Sequence, residues 1–421
     1  MRRLAVSGLI VLAAGLGLPA AASAAAPGPA AATSTAATAA SARPAAASQP
    51  SGDLLDVTCT TTRHCVAVGA NMRTYQPLVE TWNGTAWKAA NLAIPSGQAA
   101  TLNWVSCPTA KSCLAVGDIS PLGGAVNTIR ALVESWNGRA WSRLQVPVPP
   151  GGYGFELGDV TCAAPGSCVV DGGYSLVSNG RVVTFIDVLS KGRWTRYAPP
   201  GLANAGYASD LQGIACLAAN DCIAVGSYGN AVTPGGEPAN TATAELWNGR
   251  TWTERTVPAP AGSAGAWLYG VSCLKSKVCL AVGGQRLRNG KVTPLVETWN
   301  PAKRSWRATA PAAKGGGPVL FDVACPSAKS CVAVGAGDLA SAATSPFALA
   351  LNGSGWKYAA LPAPLGGGKE ASTADSVTCL SATWCVATGD EGNVPYYTGA
   401  YKAYGVSAFW NGRAWRLVRI A

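Results

Sequence analysis

The residues with the clearest capacity for covalent chemistry are fourteen cysteines, which form seven pairs with the same C-x5-C spacing. Thiols at this spacing could be oxidised to disulfides or could bind a metal as thiolates. A zinc site needs four ligands and the chain has one histidine, so each metal site would need cysteines from two pairs. We therefore predict disulfides and no metal or other cofactor. The predicted pairs are Cys59 with Cys65, Cys107 with Cys113, Cys162 with Cys168, Cys216 with Cys222, Cys273 with Cys279, Cys325 with Cys331, and Cys379 with Cys385.

A second group of candidate residues consists of aromatic and acidic side chains in the variable segments between the cysteine pairs. Aromatic rings beside a few polar groups can stack on sugar rings or anchor a partner. The alternative is that these rings hold loops against the scaffold. The predicted binding residues are Tyr396, Tyr397, Tyr401, Tyr404, Asp390, Glu391, Tyr153, Tyr207 and Trp267.

Carboxylates could also perform acid–base chemistry on a glycosidic bond, which needs two of them about 5 to 10 Å apart. An enzyme would draw these acids from Asp118, Glu156, Asp210, Asp338, Asp390 and Glu391. Asp56, Asp159 and Asp322 each lie three residues before a first cysteine, and we expect them to be hydrogen-bonded in a central channel. His64 is expected in a turn without a nucleophile beside it, so it predicts no catalytic triad.

The elements that position these residues follow one pattern in every unit. A short apolar strand ends at the first cysteine, and a second strand starts at the next one, as in Cys65-Val-Ala-Val-Gly69. A third strand ends in Trp82-Asn83-Gly84, and a fourth begins at Trp87. Short β-rich runs bounded by turn residues predict antiparallel strands. Asn-Gly favours a two-residue type I′ hairpin, which would place Trp82 opposite Thr85 and Glu80 opposite Trp87.

The cysteine pairs recur every 48 to 57 residues, which indicates one unit copied seven times. Seven four-stranded units predict a seven-bladed β-propeller with one disulfide in each blade. A linear solenoid is the alternative, but neither end unit resembles a polar cap. The chain would start with the innermost strand of the first blade and end with the outermost strand of the last, so no strand would be exchanged at closure.

The V-x-C strand, the C-[VLI]-A-V-G strand and the W-N-G-x-x-W hairpin together resemble secreted actinobacterial β-propeller repeat proteins. The hairpin is also similar to the Asp-box of bacterial neuraminidase repeats and to stability-factor and Kelch-type propellers. It departs from an Asp-box because Thr81-Trp82-Asn83-Gly84-Thr85-Ala86-Trp87 is one residue short and has Asn in place of Asp. The resemblance covers about residues 53 to 421 and implies the architecture. No catalytic residue follows from it, because Asp-boxes are structural turns.

The N-terminal sequence predicts export. Arg2-Arg3, an apolar run to about Leu18 and small residues up to Ala24 have the layout of a signal peptide over residues 1–24. Residues 25–52 are rich in Ala, Pro, Ser and Thr and predict a disordered linker before a propeller over 53–421. We expect a soluble, secreted, extracellular protein without a membrane span, in which the cysteines are oxidised.

The charge pattern bears on partners. The formal net charge is +11, charged residues make up 13% of the chain, and Lys and Arg are scattered. This distribution predicts no nucleic-acid binding and is compatible with an anionic wall polymer. Our leading hypothesis is a monomeric, non-catalytic module that binds an extracellular glycan, cell-wall polymer or protein through one propeller rim. The alternatives are a glycan-cleaving hydrolase or lyase, and an assembly scaffold without a small ligand.

Overall fold

The computed structural model consists of seven antiparallel sheets, each of which contains one cysteine pair. The structure describes residues 52–71, 73–90, 92, 94–176, 182–202, 208–232, 238–312, 317–337, 345–353, 355–362, 371–393 and 402–420. The predicted signal peptide and nearly all of the linker lie outside these ranges. The seven sheets confirm the predicted all-β seven-bladed propeller.

All seven predicted cysteine pairs are confirmed as disulfides. Each joins the two inner strands of its own sheet, with a separation of six residues along the chain. The predicted alternative of thiolate metal sites is therefore wrong for these cysteines, because none of the fourteen is a free thiol. The bonds are Cys59 to Cys65, Cys107 to Cys113, Cys162 to Cys168, Cys216 to Cys222, Cys273 to Cys279, Cys325 to Cys331, and Cys379 to Cys385.

The first four blades each have four strands in sequence order from the inner to the outer edge. Blade 1 consists of β1 (Asp53–Thr61), β2 (His64–Asn71), β3 (Gln76–Trp82) and β4 (Trp87–Ala90). Blade 2 consists of β5 (Gln98–Thr109), β6 (Ser112–Pro121), β7 (Arg130–Trp136) and β8 (Trp141–Arg143). Blade 3 consists of β9 (Gly152–Ala164), β10 (Ser167–Leu176), β11 (Val182–Ser190) and β12 (Arg193–Tyr197). Blade 4 consists of β13 (Ala208–Ala218), β14 (Asp221–Val232), β15 (Pro238–Trp247) and β16 (Trp252–Thr256).

The last three blades follow the same order, and blade 7 has its inner strand in two pieces. Blade 5 consists of β17 (Ser263–Cys273), β18 (Cys279–Leu287), β19 (Val292–Asn300) and β20 (Ser305–Thr309). Blade 6 consists of β21 (Val319–Ser327), β22 (Ser330–Gly337), β23 (Ser345–Asn352) and β24 (Gly355–Tyr358). Blade 7 consists of β25 (Ala371–Ser372), β26 (Ser376–Ser381), β27 (Trp384–Asn393), β28 (Lys402–Trp410) and β29 (Trp415–Arg419). Two 3-10 turns, Val126–Thr128 and Pro200–Leu202, lie outside the sheets.

The inner hairpin of each blade is tight, and the disulfide crosses it between directly opposed residues. In blade 1, Cys59 pairs with Cys65 at a Cα–Cα distance of 4.0 Å. His64 is the first residue of β2 rather than a turn residue. A bulge lies between Leu54 and Asp56, and the backbones there are so close that a Cβ on Gly69 would lie 1.8 Å from a carbonyl oxygen of β1. The same close approach recurs at the glycine in the last place of the equivalent motif in the other blades, so this place requires glycine.

The predicted type I′ turn between strands three and four is wrong. Trp82 pairs directly with Trp87, so four residues form the turn and Glu80 faces Ala89 rather than Trp87. The Asn83 side chain accepts hydrogen bonds from the backbone N–H groups of the third and fourth turn residues at 2.9 and 3.0 Å. Asn83 therefore acts as a side-chain acceptor, an Asx role, while Gly84 alone takes a positive φ of 100°.

The tryptophans of this turn pack inside the blade. The Trp82 and Trp87 ring centroids are 5.6 Å apart, and the Trp82 indole N–H donates to the Thr62 carbonyl at 3.2 Å. The outer hairpin is thus tied to the inner hairpin beside the disulfide. Equivalent indole bonds are made by Trp136, Trp247 and Trp410.

The hydrophobic cores lie between blades, because each sheet presents apolar side chains to both neighbours. A buried leucine five residues before the first cysteine recurs around the ring, and burying such a side chain contributes about 1.5 to 3 kcal/mol. In blade 7 this position is Ala374, which lines a small cavity of about 40 Å³ at the junction with blade 6. The leucines at this position are Leu54, Leu102, Leu157, Leu211, Leu268 and Leu320.

The ring closes between blades 7 and 1 without an exchanged strand, as predicted. Backbone pairing across this seam consists, within the described residues, of one parallel bridge between Gly52 and Tyr404. Side chains add to it: the Trp87 indole N–H donates to the Ser407 hydroxyl at 2.9 Å. The two end blades are therefore joined mainly by side chains.

The second strands of some blades extend into the variable segments between the cysteine pairs, since β6 continues to Pro121 and β27 continues to Asn393. Among the described residues, no helix is long and apolar enough to cross a membrane.

Candidate functional site

Three acids of the inner strands join neighbouring blades. Each accepts a hydrogen bond from the backbone N–H two places before the first cysteine of the next blade. These acids therefore serve the ring itself, which matches the hydrogen-bonded role expected from their positions. The pairs are Asp56 with Val105 at 2.7 Å, Asp159 with Ile214 at 2.7 Å and Asp322 with Val377 at 2.9 Å.

Serines perform the same task at three junctions where the preceding blade has no acid at that place. Ser106 accepts from the Cys162 N–H at 3.0 Å, and Ser272 accepts from the Cys325 N–H at 3.1 Å. Ser376 bridges blades 7 and 1. Between blades 4 and 5 the backbones approach each other directly, because a Cβ on Gly213 would lie 2.3 Å from a carbonyl oxygen of blade 5. Among the described residues, six of the seven junctions thus carry a side chain-to-backbone bond between inner strands.

At the seam between blades 7 and 1, two carboxyl groups lie beside the hydroxyl group of Ser376. Ser376 Oγ lies 2.5 Å from Asp56 Oδ1 and 2.9 Å from Asp322 Oδ2. A hydroxyl has one hydrogen, so it can donate to only one of the two carboxyl groups. Burial and the nearby Asp322 carboxylate raise the pKa of Asp56 to about 6. Burial, together with the charges of Asp56 and Asp171, also raises the pKa of Asp159 well above its ordinary value.

Asp171 is a buried acid that the sequence analysis did not single out. It lies in β10 and is fully buried, and its Oδ1 accepts from the Asp159 N–H at 2.8 Å. Burial and the charge of Asp210 raise its pKa to about 8. A signal was present, because Cys168-Val-Val-Asp171-Gly has an acid where most units read C-V-A-V-G or close variants.

An acid of the third strand lies two residues before the first outer tryptophan, or before Leu189 in blade 3, and it is buried in five blades with different surroundings. Glu134 pairs with Arg143 at 3.2 Å, and Asp187 pairs with Arg196 at 2.6 Å. Neither carboxyl oxygen of Glu297 has a hydrogen-bond partner within the described residues. Burial raises the pKa of Glu297 to about 8, so this carboxyl group is held in its neutral form near pH 7.

The predicted binding residues of blade 7 lie in strands where they are described. Asp390 and Glu391 belong to β27, and Tyr404 belongs to β28, where it is the register partner of Glu391. The Thr373 hydroxyl donates to Asp390. All three lie at the end of the blade away from the disulfide. Tyr396, Tyr397 and Tyr401 lie outside the described residues, as does Tyr207.

The other two predicted residues are in different blades. Tyr153 is near the start of β9, paired with Ser175, and is partly exposed. Trp267 lies in β17 with its ring over Gly284, where an added Cβ would approach the indole to 2.7 Å. Trp267 also packs against the cluster of Val319 and its neighbours. The structure therefore distributes the described candidates over blades 3, 5 and 7, and Trp267 has a packing role.

The acids proposed for glycan cleavage contact their neighbours. The Asn103 amide donates to Asp118 at 3.2 Å, and the Gln212 amide donates to Asp210 at 2.6 Å. Burial raises the pKa of Glu156. Asp338 lies outside the described residues. Within the described part of the chain, no group of three His, Cys, Asp or Glu side chains could hold a metal ion.

Among the comparisons with known proteins, only solved structures gave matches. No protein-family model matches the chain, and no curated protein is significantly similar to it in sequence. Solved structures that resemble it include YCF48 from Cyanidioschyzon merolae, with 15% identity and a TM-score of 0.48 over 82% of this chain and 94% of that one.

Two further solved structures also resemble the chain. One is a protein of unknown function from Dyadobacter fermentans, with 11% identity and a TM-score of 0.49 over 76% of this chain and 97% of that one. The other is the phage phi92 endosialidase, with 11% identity and a TM-score of 0.47 over 86% of this chain and 68% of that one. We transfer no functional residue from these structures.

Proposed function

We propose that the protein is a secreted, non-catalytic module that binds an extracellular glycan, cell-wall polymer or protein through the rim away from the disulfides. The observation that carries this proposal is that three acids of the inner strands are engaged in hydrogen bonds between blades. Asp56, Asp159 and Asp322 accept backbone hydrogen bonds from the next blade, so they build a rigid ring rather than face a substrate. Seven disulfides suit an oxidising, extracellular compartment.

The rim away from the disulfides suits binding because it presents variable segments on a rigid scaffold. Tyr404 and Tyr153 are partly exposed near this rim, and the sequence adds Tyr396 and Tyr397 to the same segment as Tyr404. Tyrosine supplies a large apolar face with a polar tip, which favours contact with sugar rings and protein surfaces. The glycan-cleaving alternative would need two accessible acids, whereas Asp118 and Asp210 are already hydrogen-bonded to side-chain amides.

The proposal is tested by incubating the oxidised mature protein with wall and extracellular polysaccharides while following both retention and release of sugar ends. We expect retention without release, and loss of retention in the variant Tyr396→Ala/Tyr397→Ala/Tyr404→Ala. The matched control is Tyr358→Ala, which removes an exposed tyrosine from β24 of blade 6. Released sugar would contradict a non-catalytic role, and equal loss in the control would contradict the assignment to this rim.

A further inference from the structure

A cleft between blades 4 and 5 opens on the disulfide rim, opposite the rim proposed above. It has a volume of about 260 Å³, just below the roughly 300 to 1,000 Å³ of pockets for drug-sized ligands. Ile223, Leu246 and Trp299 contribute apolar walls, and Arg255, Lys277, Arg304 and Asp221 contribute charge. Three cationic side chains therefore converge there with one carboxylate.

Arg255 interrupts the packing pattern of the other blades. It lies three residues after the second tryptophan of its blade and is partly buried. In five other blades the residue at this place packs into the hydrophobic core shared with the next blade, and in blade 5 it is Thr309. In blade 4 the arginine instead lines the cleft at the junction with blade 5. The five apolar counterparts are Ala90, Leu144, Tyr197, Ala359 and Val418.

The two cations from blade 5 sit on unusual backbone. Lys277 and Arg304 have φ angles of 63° and 49°, and only two other non-glycine residues in the described part of the chain have positive φ. Arg304 belongs to the lengthened turn between Trp299 and Trp306. Left-handed backbone at residues other than Gly, Asn or Asp is uncommon and tends to cluster at functional sites.

The cleft has one ion pair among the described residues, and the Arg255 guanidinium donates one hydrogen bond, from Nη1 to the Glu254 carbonyl at 2.9 Å. Lys277 Nζ lies 2.8 Å from Asp221 Oδ2, a contact that joins the two blades. Within the described residues, neither Arg255 nor Arg304 forms an ion pair with an acid. A guanidinium group matches the geometry of phosphate and sulfate oxygens through paired N–H donors.

We propose that this cleft binds a phosphate or sulfate ester carried on a sugar, with the arginines on the oxyanion and the sugar ring against the apolar wall. The site is independent of the opposite rim. Because the wall adds contact area for a ring, a sugar phosphate should bind more tightly than inorganic phosphate. A sugar without the ester lacks the group that the cations recognise.

The test measures binding of glucose 6-phosphate, glucose 6-sulfate, inorganic phosphate and glucose to the oxidised mature protein by calorimetry. We expect an ester to bind saturably and more tightly than inorganic phosphate, with no binding of glucose. The two esters show which oxyanion is preferred. The variant Arg255→Thr/Arg304→Asn should weaken ester binding at least tenfold, because it removes both guanidinium groups. Thr is chosen because it occurs at the place of Arg255 in blade 5, and Asn because it tolerates the left-handed backbone of Arg304.

The matched control is Arg250→Thr/Lys191→Asn, which removes the same charge from exposed turns and also replaces a left-handed residue. Equal weakening in this control would overturn the site in favour of a general charge effect. Binding of inorganic phosphate as tight as that of the esters, or no saturable binding, would also overturn it. If the double variant unfolds, the single variant Arg304→Asn is used for the same binding measurement. The tyrosine variant of the opposite rim should retain ester binding, so the two proposals can fail separately.

Discussion

Neutralising Asp56 should remove a pH-dependent loss of stability at the seam of the ring. The substitution Asp56→Asn keeps an oxygen that can accept from the Val105 N–H and supplies an amide that can donate to Ser376. The substitution also removes the negative charge of Asp56, which burial and the Asp322 carboxylate disfavour. The variant therefore separates the effect of charge from the effect of shape.

The magnitude follows from the pKa of Asp56, which rises from 3.8 to about 6 on folding. One pKa unit corresponds to about 1.4 kcal/mol, so the charged form is disfavoured by about 3 kcal/mol in the folded protein. Because the folded pKa is the higher one, the folded state binds the proton more tightly. The associated stability is complete below pH 3.8 and is lost as the pH rises through 6.

The assay is urea unfolding of the oxidised protein between about pH 3.5 and 7.5, followed by tryptophan fluorescence. Relative to wild type, the free energy of unfolding of the variant should rise by about 3 kcal/mol between the ends of this range. Any constant cost of the substitution cancels in this comparison. Glu254→Gln, at an exposed acid of β16, is the control. A difference between Asp56→Asn and wild type that does not change with pH would refute the reasoning.

Two further predictions concern buried polar groups. Ser407→Ala removes the acceptor of the Trp87 indole N–H, so we expect a loss of about 1 to 3 kcal/mol in denaturant unfolding, and an unchanged midpoint would argue against this seam bond. Glu297→Gln replaces a carboxyl group whose folded pKa is about 8, so wild type should lose stability relative to the variant as the pH rises through 8. If the difference in stability between wild type and the Glu297→Gln variant is the same at about pH 6 and at about pH 9, this second prediction is contradicted.

The architecture was predictable because its signals are local and repeated. The disulfide partners are six residues apart, and the same strand pattern surrounds each pair. A structure predicted for one unit therefore applies to all seven. The outer turn was mispredicted because the Asn83 side chain competes with the backbone for turn hydrogen bonds, and Asn-Gly alone does not reveal this competition.

The candidate sites were harder to predict because they depend on contacts between blades. The Asp56 acceptor role involves a residue 49 positions away, and Asp171 owes its raised pKa to burial and to Asp210 in the next blade. The cleft of Arg255 and Arg304 joins residues that are ordinary surface cations when each unit is considered alone. Aligning the units by their second tryptophans does expose Arg255, because it is the one charged residue at a place that is apolar in five blades and Thr309 in blade 5.

The ring without an exchanged strand bears on how such a chain can change over evolutionary time. Each blade is one uninterrupted stretch of sequence, so duplicating or deleting a single repeat in the gene would add or remove one complete sheet. In a propeller that closes with a strand from the other terminus, the blade at the join is assembled from two distant segments. Here the side chains at the join, such as Ser376 and Ser407, are the local adaptation that a changed number of repeats would have to preserve.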